Sequence, residues 1–188
     1  MRHFIIVAGL LALVACHKAE RAQPQANESA TAADSSGVKG VHLQNKGKPA
    51  PDTIFSDPNG GQATLAEFSG KPVLVNLWAT WCAPCVKELP TLDRLSKSPG
   101  APQVLAISQD MAPRTSVVAF LDSHRIANLA AYQDPKMGLS GALGADVLPT
   151  SILYDADGKE VWRYVGDLDW TSAEAAKLLA EGGAAGSH

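Results

Sequence analysis

Short apolar runs alternate with stretches of helical spacing along the chain beyond residue 50. The runs 73–79 (VLVNLWA) and 103–108 (QVLAIS) are apolar and rich in β-branched residues, as is typical of buried strands. Between them, leucines recur at helical intervals and predict a helix over 83–95. Strands that alternate with helices need crossover connections, so the pattern predicts an α/β domain in which helices cover a sheet.

The same alternation continues to the end of the chain. The turn-forming run Asp155-Ala156-Asp157-Gly158 separates two apolar runs, 150–154 and 159–165, which are therefore predicted to pair as a hairpin. The other predicted elements are a helix over 115–124 that starts after Pro113, a short strand over 129–133, a weak helix over 136–143, a final helix over 172–180 and a loose tail over 182–188.

The start of the chain has the pattern of an export signal. A short basic start is followed by an apolar run over 4–14, which has the length of a signal-peptide core and is too short to span a bilayer comfortably. The run ends in Leu13-Val14-Ala15-Cys16, which resembles the bacterial lipobox. That resemblance implies that residues 1–15 are removed and that Cys16 is acylated and anchors the protein in a lipid membrane. An uncleaved anchor and an ordinary cleaved signal are the alternatives.

Residues 17–50 are polar and small, with no aromatic side chain and little apolar periodicity. Such a segment cannot bury enough surface to order itself and is expected to be a flexible tether with a span of roughly 30 Å. The predicted organisation is therefore a lipoprotein signal over 1–15, the lipidated Cys16 and its tether over 16–50, and a folded domain over 51–188. Export would place that domain where disulfides persist.

The charge and the cysteine count exclude some functions. The formal net charge is −3, so the chain has no basic surplus to neutralise a phosphate backbone, which argues against nucleic acid as a partner. At 46% hydrophobic residues the chain can build a core without disulfide staples. Apart from Cys16, the cysteines are Cys82 and Cys85, and one such pair is too small for a disulfide scaffold.

The sequence Cys82-Ala83-Pro84-Cys85 carries the candidate chemistry. It stands where a buried strand ends and a helix begins, so the helix N-terminus favours a thiolate at Cys82. Cys85, one turn further on, can resolve a mixed disulfide, and Pro84 suits an early helical position. The alternatives are a structural disulfide, inert thiols and half of a zinc site. Zinc would need two more ligands, and no second C-x-x-C or H-x-x-x-H follows, so we expect no metal and no organic cofactor.

The run over 73–85 (VLVNLWATWCAPC) resembles the active-site strand and turn of the thioredoxin superfamily, and more narrowly that of the TlpA/ResA-type membrane-bound reductases. The similarity covers residues 49–179 and includes Gly70-Lys71 and the turn that begins at Asp155. It implies a thioredoxin-like, three-layer fold with a central mixed sheet flanked by helices. Pro90 matches the helix-kinking proline of these proteins and removes a hydrogen bond to Val86.

The resemblance also assigns a substrate-binding loop. Leu148-Pro149-Thr150 matches the cis-proline loop, which in that fold lies beside the cysteines and pairs through its backbone with an extended substrate segment. An X-Pro bond is ordinarily trans, but the resemblance implies a cis bond before Pro149. Trp78 and Trp81 are expected to surround the cysteines, and Trp81 to contact the substrate.

Two further positions distinguish this branch from thioredoxin itself. Thioredoxin has a buried, titrating Asp at the place of Asn76, and Asn cannot titrate. The TlpA/ResA-type proteins carry a glutamate at the place of Glu88, which lies on the same helix face as Cys85. The resemblance implies that Glu88 tunes the thiol pKa and relays a proton. The alternative is a solvated helix carboxylate paired with Lys87 or Arg94.

These residues together predict a periplasmic thiol–disulfide oxidoreductase anchored by lipid to the inner or the outer membrane. As a reductase, it would attack protein disulfides with Cys82 and release the product with Cys85, and a membrane protein would restore its thiols. The resemblance implies two substrate classes, apocytochrome c and copper-site assembly proteins. An oxidase that donates its disulfide, and a Cu(I)-carrying module that binds metal through both cysteines, remain as alternatives.

Overall fold

A computed structural model describes residues 38–183, and these form one mixed eight-stranded sheet with helices on both faces. The elements are β1 (Gly40–His42), β2 (Phe55–Ser56), β3 (Gln62–Ala63), a 3₁₀-helix (Leu65–Phe68), β4 (Val73–Trp78), α1 (Ala83–Leu95), β5 (Gln103–Ser108), α2 (Arg114–Ser123), β6 (Tyr132–Gln133), α3 (Gly138–Leu143), β7 (Thr150–Tyr154), β8 (Glu160–Val165) and α4 (Ala173–Gly183).

The strand β4 lies in the middle of the sheet, whose order is β1-β8-β7-β4-β5-β6-β2-β3. It pairs in parallel with β5 and antiparallel with β7. All of β4 is buried, because helices cover both faces of the sheet, and this explains why its sequence is an almost continuous apolar run.

Successive side chains of β4 point to opposite faces, so the strand supplies two separate cores. Leu74 and Trp78 belong to a core shared with α1, α2 and α4. Val75 and Leu77 belong to a second core shared with α3 and the 3₁₀-helix. The predicted three-layer α/β fold is therefore confirmed. Asn76 shares the strand face of Leu74 and Trp78 and is turned towards α1, which places a polar side chain inside the first core.

The predicted elements recur close to their predicted bounds. The helix over 83–95 is confirmed, and so is the hairpin, in which β7 and β8 pair antiparallel around the turn at Asp155. The final helix is longer than predicted: α4 continues to Gly183, so the start of the loose tail at 182 is wrong, and residues 184–188 lie outside the described residues.

The folded domain begins earlier than predicted. Gly40–His42 pairs with β8, and Pro49 bridges Lys159, so the end of the predicted tether already belongs to the sheet. A three-residue edge strand is too short to show a period, and its partner β8 is far away in sequence, so nothing local announces it. The predicted signal over 1–15 and the lipidation site Cys16 lie outside the described residues. No helix within residues 38–183 is long and apolar enough to cross a membrane.

Candidate active site

Cys82 and Cys85 lie at the junction of β4 and α1, where they form a disulfide. Cys82 is the N-cap residue of α1, and its Sγ accepts a hydrogen bond from the backbone N–H of Cys85 at 3.3 Å. Pro84 occupies the first turn, where a helix needs no amide donor. The free N–H groups and the positive end of the helix dipole therefore stabilise negative charge on Cys82.

Cys82 is more exposed than Cys85, as predicted. Cys82 is 6% exposed and Cys85 is fully buried, so Cys82 is the accessible member of the pair. The exposure of Cys82 is nevertheless smaller than its predicted role suggested. Trp81, at 69% exposed, stands directly before it. The exposed part of Cys82 is therefore small, and it follows an exposed indole in the chain.

Glu88 is buried on the sheet side of α1, one turn beyond Cys85. It is 2% exposed, and its Oε1 accepts a hydrogen bond from Asn76 Nδ2 at 2.6 Å. Its Oε2 accepts the backbone N–H of Leu168 at 3.0 Å. The alternative of a solvated carboxylate paired with Lys87 or Arg94 is therefore wrong, because both oxygens are bound inside the protein.

Burial raises the pKa of Glu88 to about 7, because a charged carboxylate loses its hydration in the core. The Leu168 N–H and the Asn76 amide lower the pKa of Glu88, because they stabilise its charged form. The negative charge of Asp167 raises it further. Trp170 also lowers the pKa of Glu88. Its indole Nε1 makes no hydrogen bond of normal geometry among the described residues, so the indole acts as a nearby dipole. Glu88 can thus gain and lose a proton near neutral pH.

Asn76 connects the carboxyl group of Glu88 to the middle of the sheet. Its Nδ2 also donates to Ser151 Oγ at 2.9 Å, across the pairing of β4 with β7. Sequence reasoning recognised that Asn76 cannot titrate but missed that its amide holds Glu88. A lone polar residue inside the apolar run of β4 was the available signal, because a buried amide requires partners.

Asp110 fixes the loop that carries Trp81 and Cys82. Its carboxylate accepts hydrogen bonds from Thr80 N at 2.9 Å, Thr80 Oγ1 at 2.6 Å and Ser108 Oγ at 2.7 Å. The contact arises because β4 and β5 are parallel, so the segments after their carboxyl ends meet at the same edge of the sheet. Sequence reasoning missed Asp110. The polar run Ser108-Gln109-Asp110 directly after a buried strand was its signal.

The predicted substrate loop lies beside this junction. The bond between Leu148 and Pro149 is cis, as predicted. Leu148 and Trp81 line one groove of about 340 Å³, together with Gln109 and Met137. Thr150 is buried and its hydroxyl donates to Val147 O at 2.7 Å, so its side chain supports the loop from inside and does not line the groove. Pro90 lies within α1, as predicted.

Comparison with known proteins decides the family. Residues 45–179 match the family model described as Redoxin. The chain belongs to the Redoxin family. The thiol-disulfide oxidoreductase ResA of Bacillus anthracis is 34% identical over 124 residues, which cover 64% of this chain and 70% of that protein. ResA of a Bacillus cereus strain is 33% identical over 124 residues, with the same coverage of both chains.

Solved structures agree with this Redoxin membership. A structure from Chlorobium tepidum, described as a thiol:disulfide interchange protein DsbE, superposes with a TM-score of 0.62 at 27% identity and covers 72% of this chain and 96% of its own. A structure from Bacteroides vulgatus, described as a thiol-disulfide oxidoreductase, gives a TM-score of 0.61 at 29% identity, with 73% and 96% covered. The thioredoxin-superfamily, TlpA/ResA-type resemblance is thereby confirmed.

This Redoxin protein is an enzyme, a thiol–disulfide oxidoreductase whose substrates are disulfide-containing proteins. The cysteine pair at the start of α1 matches that activity. The residues from 38 to 183 contain no cluster of three or more His, Cys, Asp or Glu side chains that could hold a metal ion. The Cu(I)-carrying alternative therefore has two sulfur ligands and finds no third His, Cys, Asp or Glu ligand among those residues.

Proposed function

We propose that this oxidoreductase works as a reductase of protein disulfides in the periplasm, where the acylated Cys16 tethers it to a membrane. The thiolate of Cys82 attacks one sulfur of the substrate disulfide, and the other substrate sulfur leaves as a thiolate. Cys85 then attacks Cys82 Sγ, which releases the second substrate sulfur and leaves the Cys82–Cys85 disulfide. The substrate gains two electrons and the enzyme loses two.

The observation that carries the reducing direction is the buried Glu88 one turn beyond Cys85. A strongly oxidising pair owes its potential to a stabilised reduced form, in which one cysteine is a thiolate. A carboxylate beside the pair opposes that thiolate by charge repulsion. The reduced form is thereby kept higher in free energy, and the equilibrium moves towards giving electrons away.

Glu88 also supplies a base for the second step. Cys85 is buried and must lose a proton before it can attack Cys82 Sγ. With a pKa of about 7, Glu88 is partly ionised at neutral pH and can accept that proton. The proton moves from the Cys85 thiol to the Glu88 carboxylate as the sulfur becomes nucleophilic. Asn76 and Leu168 hold the carboxylate in place during the transfer.

The groove beside Cys82 suits an extended, partly apolar segment of a substrate protein. Trp81 and Met137 expose much of their side chains along it, at 69% and 48%. Exposed apolar side chains around a reactive group are typical of a protein-binding surface. The resemblance to TlpA/ResA-type proteins supports apocytochrome c and copper-site assembly proteins as the substrate classes. The same resemblance supports a membrane protein as the donor that restores the thiols.

The midpoint potential of the Cys82–Cys85 pair tests the direction. We expect equilibration with glutathione and with dithiothreitol to give a value below about −200 mV, in the range of reducing thioredoxin-like proteins. A value near −120 mV, like that of a strong oxidase, would overturn the reductase proposal in favour of disulfide donation. Glu88→Gln is the variant to compare with the wild-type protein. It should make the midpoint potential less negative, because it removes the charge that opposes the thiolate.

A further inference from the structure

A cavity of about 140 Å³ separates α1 from the loop that follows β8. Its volume is large enough for several water molecules. Two of its lining residues, Lys87 and Asp169, are exposed, so the cavity opens to solvent. Glu88 forms part of its wall and is the buried acid among the lining residues. The remaining lining residues are Thr91, Asp167 and Leu168.

The carboxyl group of Glu88 lies between the core and this cavity. Its Oε1 faces inwards to Asn76, within the network of β4 and β7. Its Oε2 meets the N–H of Leu168, a residue of the cavity wall. One oxygen is thus held by the core and the other by the loop that separates the core from water. Rotation of the carboxyl group about the Cγ–Cδ bond exchanges its two oxygens, so a proton accepted on the inner side can leave on the outer side without any movement of the backbone.

Asp167 stands at the mouth of the cavity, between two cations. Its Oδ1 accepts Lys39 Nζ at 2.6 Å, and its Oδ2 lies 3.5 Å from Lys87 Nζ. The hydrogen bond from Lys39 lowers the pKa of Asp167, so this carboxylate stays ionised throughout the range in which Glu88 titrates. Lys39 comes from the segment before β1 and Lys87 from α1, so the cluster joins three separate parts of the fold.

We propose that Asp167 is a positioning residue for proton transfer, which sets the pH at which Glu88 exchanges its proton with solvent through this cavity. The inference rests on the proposed function. The Cys85 thiol gives its proton to the Glu88 carboxylate, and the neutral Glu88 then gives it to a water molecule in the cavity. Lys39 and Lys87 partly neutralise Asp167 and thereby limit its effect on Glu88. No electron moves in these steps, and the proton lost by Cys85 ends in solvent.

Other charged groups also act around Glu88 and must be accounted for. Asp169 carries a negative charge at the exposed end of the cavity, and its Oδ1 accepts the N–H and the hydroxyl of Thr171. Tyr164 on β8 interacts directly with the charge of Glu88, whereas Glu174 on α4 interacts with Lys39 and Tyr164. Asp167 differs from these groups because it is held against Lys39 and directly precedes Leu168, which binds the Glu88 carboxylate.

The test is a carbon-13 NMR titration of the Glu88 side-chain carboxyl in the oxidised protein, where no thiol titrates. Asp167→Asn removes a negative charge and leaves two cations uncompensated, so the Glu88 midpoint should fall by about half a pH unit or more. Lys39→Gln should move the midpoint in the opposite direction. Asp169→Asn is the matched control, since it removes the same charge from the same cavity and should shift the midpoint less.

Opposite shifts from Asp167→Asn and Lys39→Gln, together with a parallel shift in the acid limb of the disulfide-exchange rate, support the proposal. Unchanged Glu88 midpoints, or equal shifts from Asp167→Asn and Asp169→Asn, would overturn the proposal. A pH profile of disulfide exchange that stays in place while the Glu88 midpoint moves would also overturn it. The titration needs no redox activity. Failure of the wild-type protein to reduce any protein disulfide would instead count against the proposed function alone.

Discussion

The side-chain amide of Asn76 donates a hydrogen bond to Glu88 Oε1 across 2.6 Å, and both residues are buried between β4 and α1. The contact supplies the carboxylate with a donor in a place where water cannot do so. It also keeps a second titrating group out of the site, because an amide neither gains nor loses a proton. Glu88 is therefore the titrating member of this network, and it lies one turn beyond Cys85 and in the wall of the cavity.

Asn76→Asp should change the titration of the site strongly. Two carboxyl groups in direct contact cannot both ionise easily, so they share one proton and the pair acquires a raised upper midpoint. We expect this midpoint to lie at least about one unit above 7 in the oxidised protein, as followed by carboxyl NMR or infrared absorption. The double variant Asn76→Asp, Glu88→Gln contains one carboxyl and should lose the high midpoint. An upper midpoint that persists in the double variant would show that the two residues are not coupled.

Glu88→Gln should alter the reactivity of the reduced cysteines. Removal of a negative charge one helical turn from Cys85 makes its thiolate easier to form, so the pH profile of thiol alkylation should move to lower pH. The rate of disulfide exchange near neutrality should change several-fold. Glu181→Gln, on the exposed side of α4, is the matched control and should leave both profiles in place. Superimposable wild-type and Glu88→Gln profiles would reduce Glu88 to a structural residue.

Glu88 should also make the free energy of unfolding depend on pH. Its pKa rises from 4.5 in the unfolded chain to about 7 in the folded protein, so the folded state binds the proton more tightly. The contribution of Glu88 to stability is therefore largest below pH 4.5, falls as the pH rises through this window and is lost above 7, with a total change of about 3 kcal/mol. Urea unfolding at pH 4 and pH 8 measures the loss. The loss of unfolding free energy between these pH values should be smaller by about 3 kcal/mol in Glu88→Gln than in the wild-type protein. Equal losses in the two proteins would disprove the contribution of Glu88.

Asp110→Ala should weaken the support of the active-site loop. The variant leaves the Thr80 N–H and two hydroxyl groups without their acceptor, at a cost of about 3 kcal/mol in the free energy of unfolding. Disulfide exchange should slow as well, because Trp81 and Cys82 follow directly after Thr80. Asp122→Ala, at an exposed position of α2, should cost less than about 0.5 kcal/mol. A loss of similar size in both variants would remove Asp110 from the site.

The sequence predicts those features that are encoded locally or by a recognisable motif. Strands such as β4 and β5 are long enough to show their pattern, and the position of Cys82 at the start of α1 follows from a strand that ends just before a helix. The cis bond before Pro149 followed from the resemblance alone. In contrast, β1, β2 and β3 have two or three residues each, which is too few for a period.

The polar contacts of the site could not be predicted for a different reason. Asn76 and Glu88 are 12 positions apart, and Glu88 and Leu168 are 80 apart. Each pair meets only because β4, α1 and the end of β8 pack together in the finished fold. The apolar pattern predicts which sides of the helices and strands are buried, but it does not predict which polar groups contact each other across two elements. The partners of Asp110 and Asp167 depend on tertiary packing in the same way.

The most direct test of disulfide exchange at Cys82 is a trapping experiment followed by peptide mass spectrometry. In Cys85→Ala the resolving step cannot occur, so a disulfide-containing protein substrate should remain joined to the enzyme through Cys82. Cys82→Ala leaves only the buried sulfur and should trap nothing. A mixed disulfide on Cys82 in the first variant, and none in the second, is the expected result. Trapping through Cys85 in Cys82→Ala, with no adduct on Cys82 in Cys85→Ala, would contradict the assignment of Cys82 as the attacking residue.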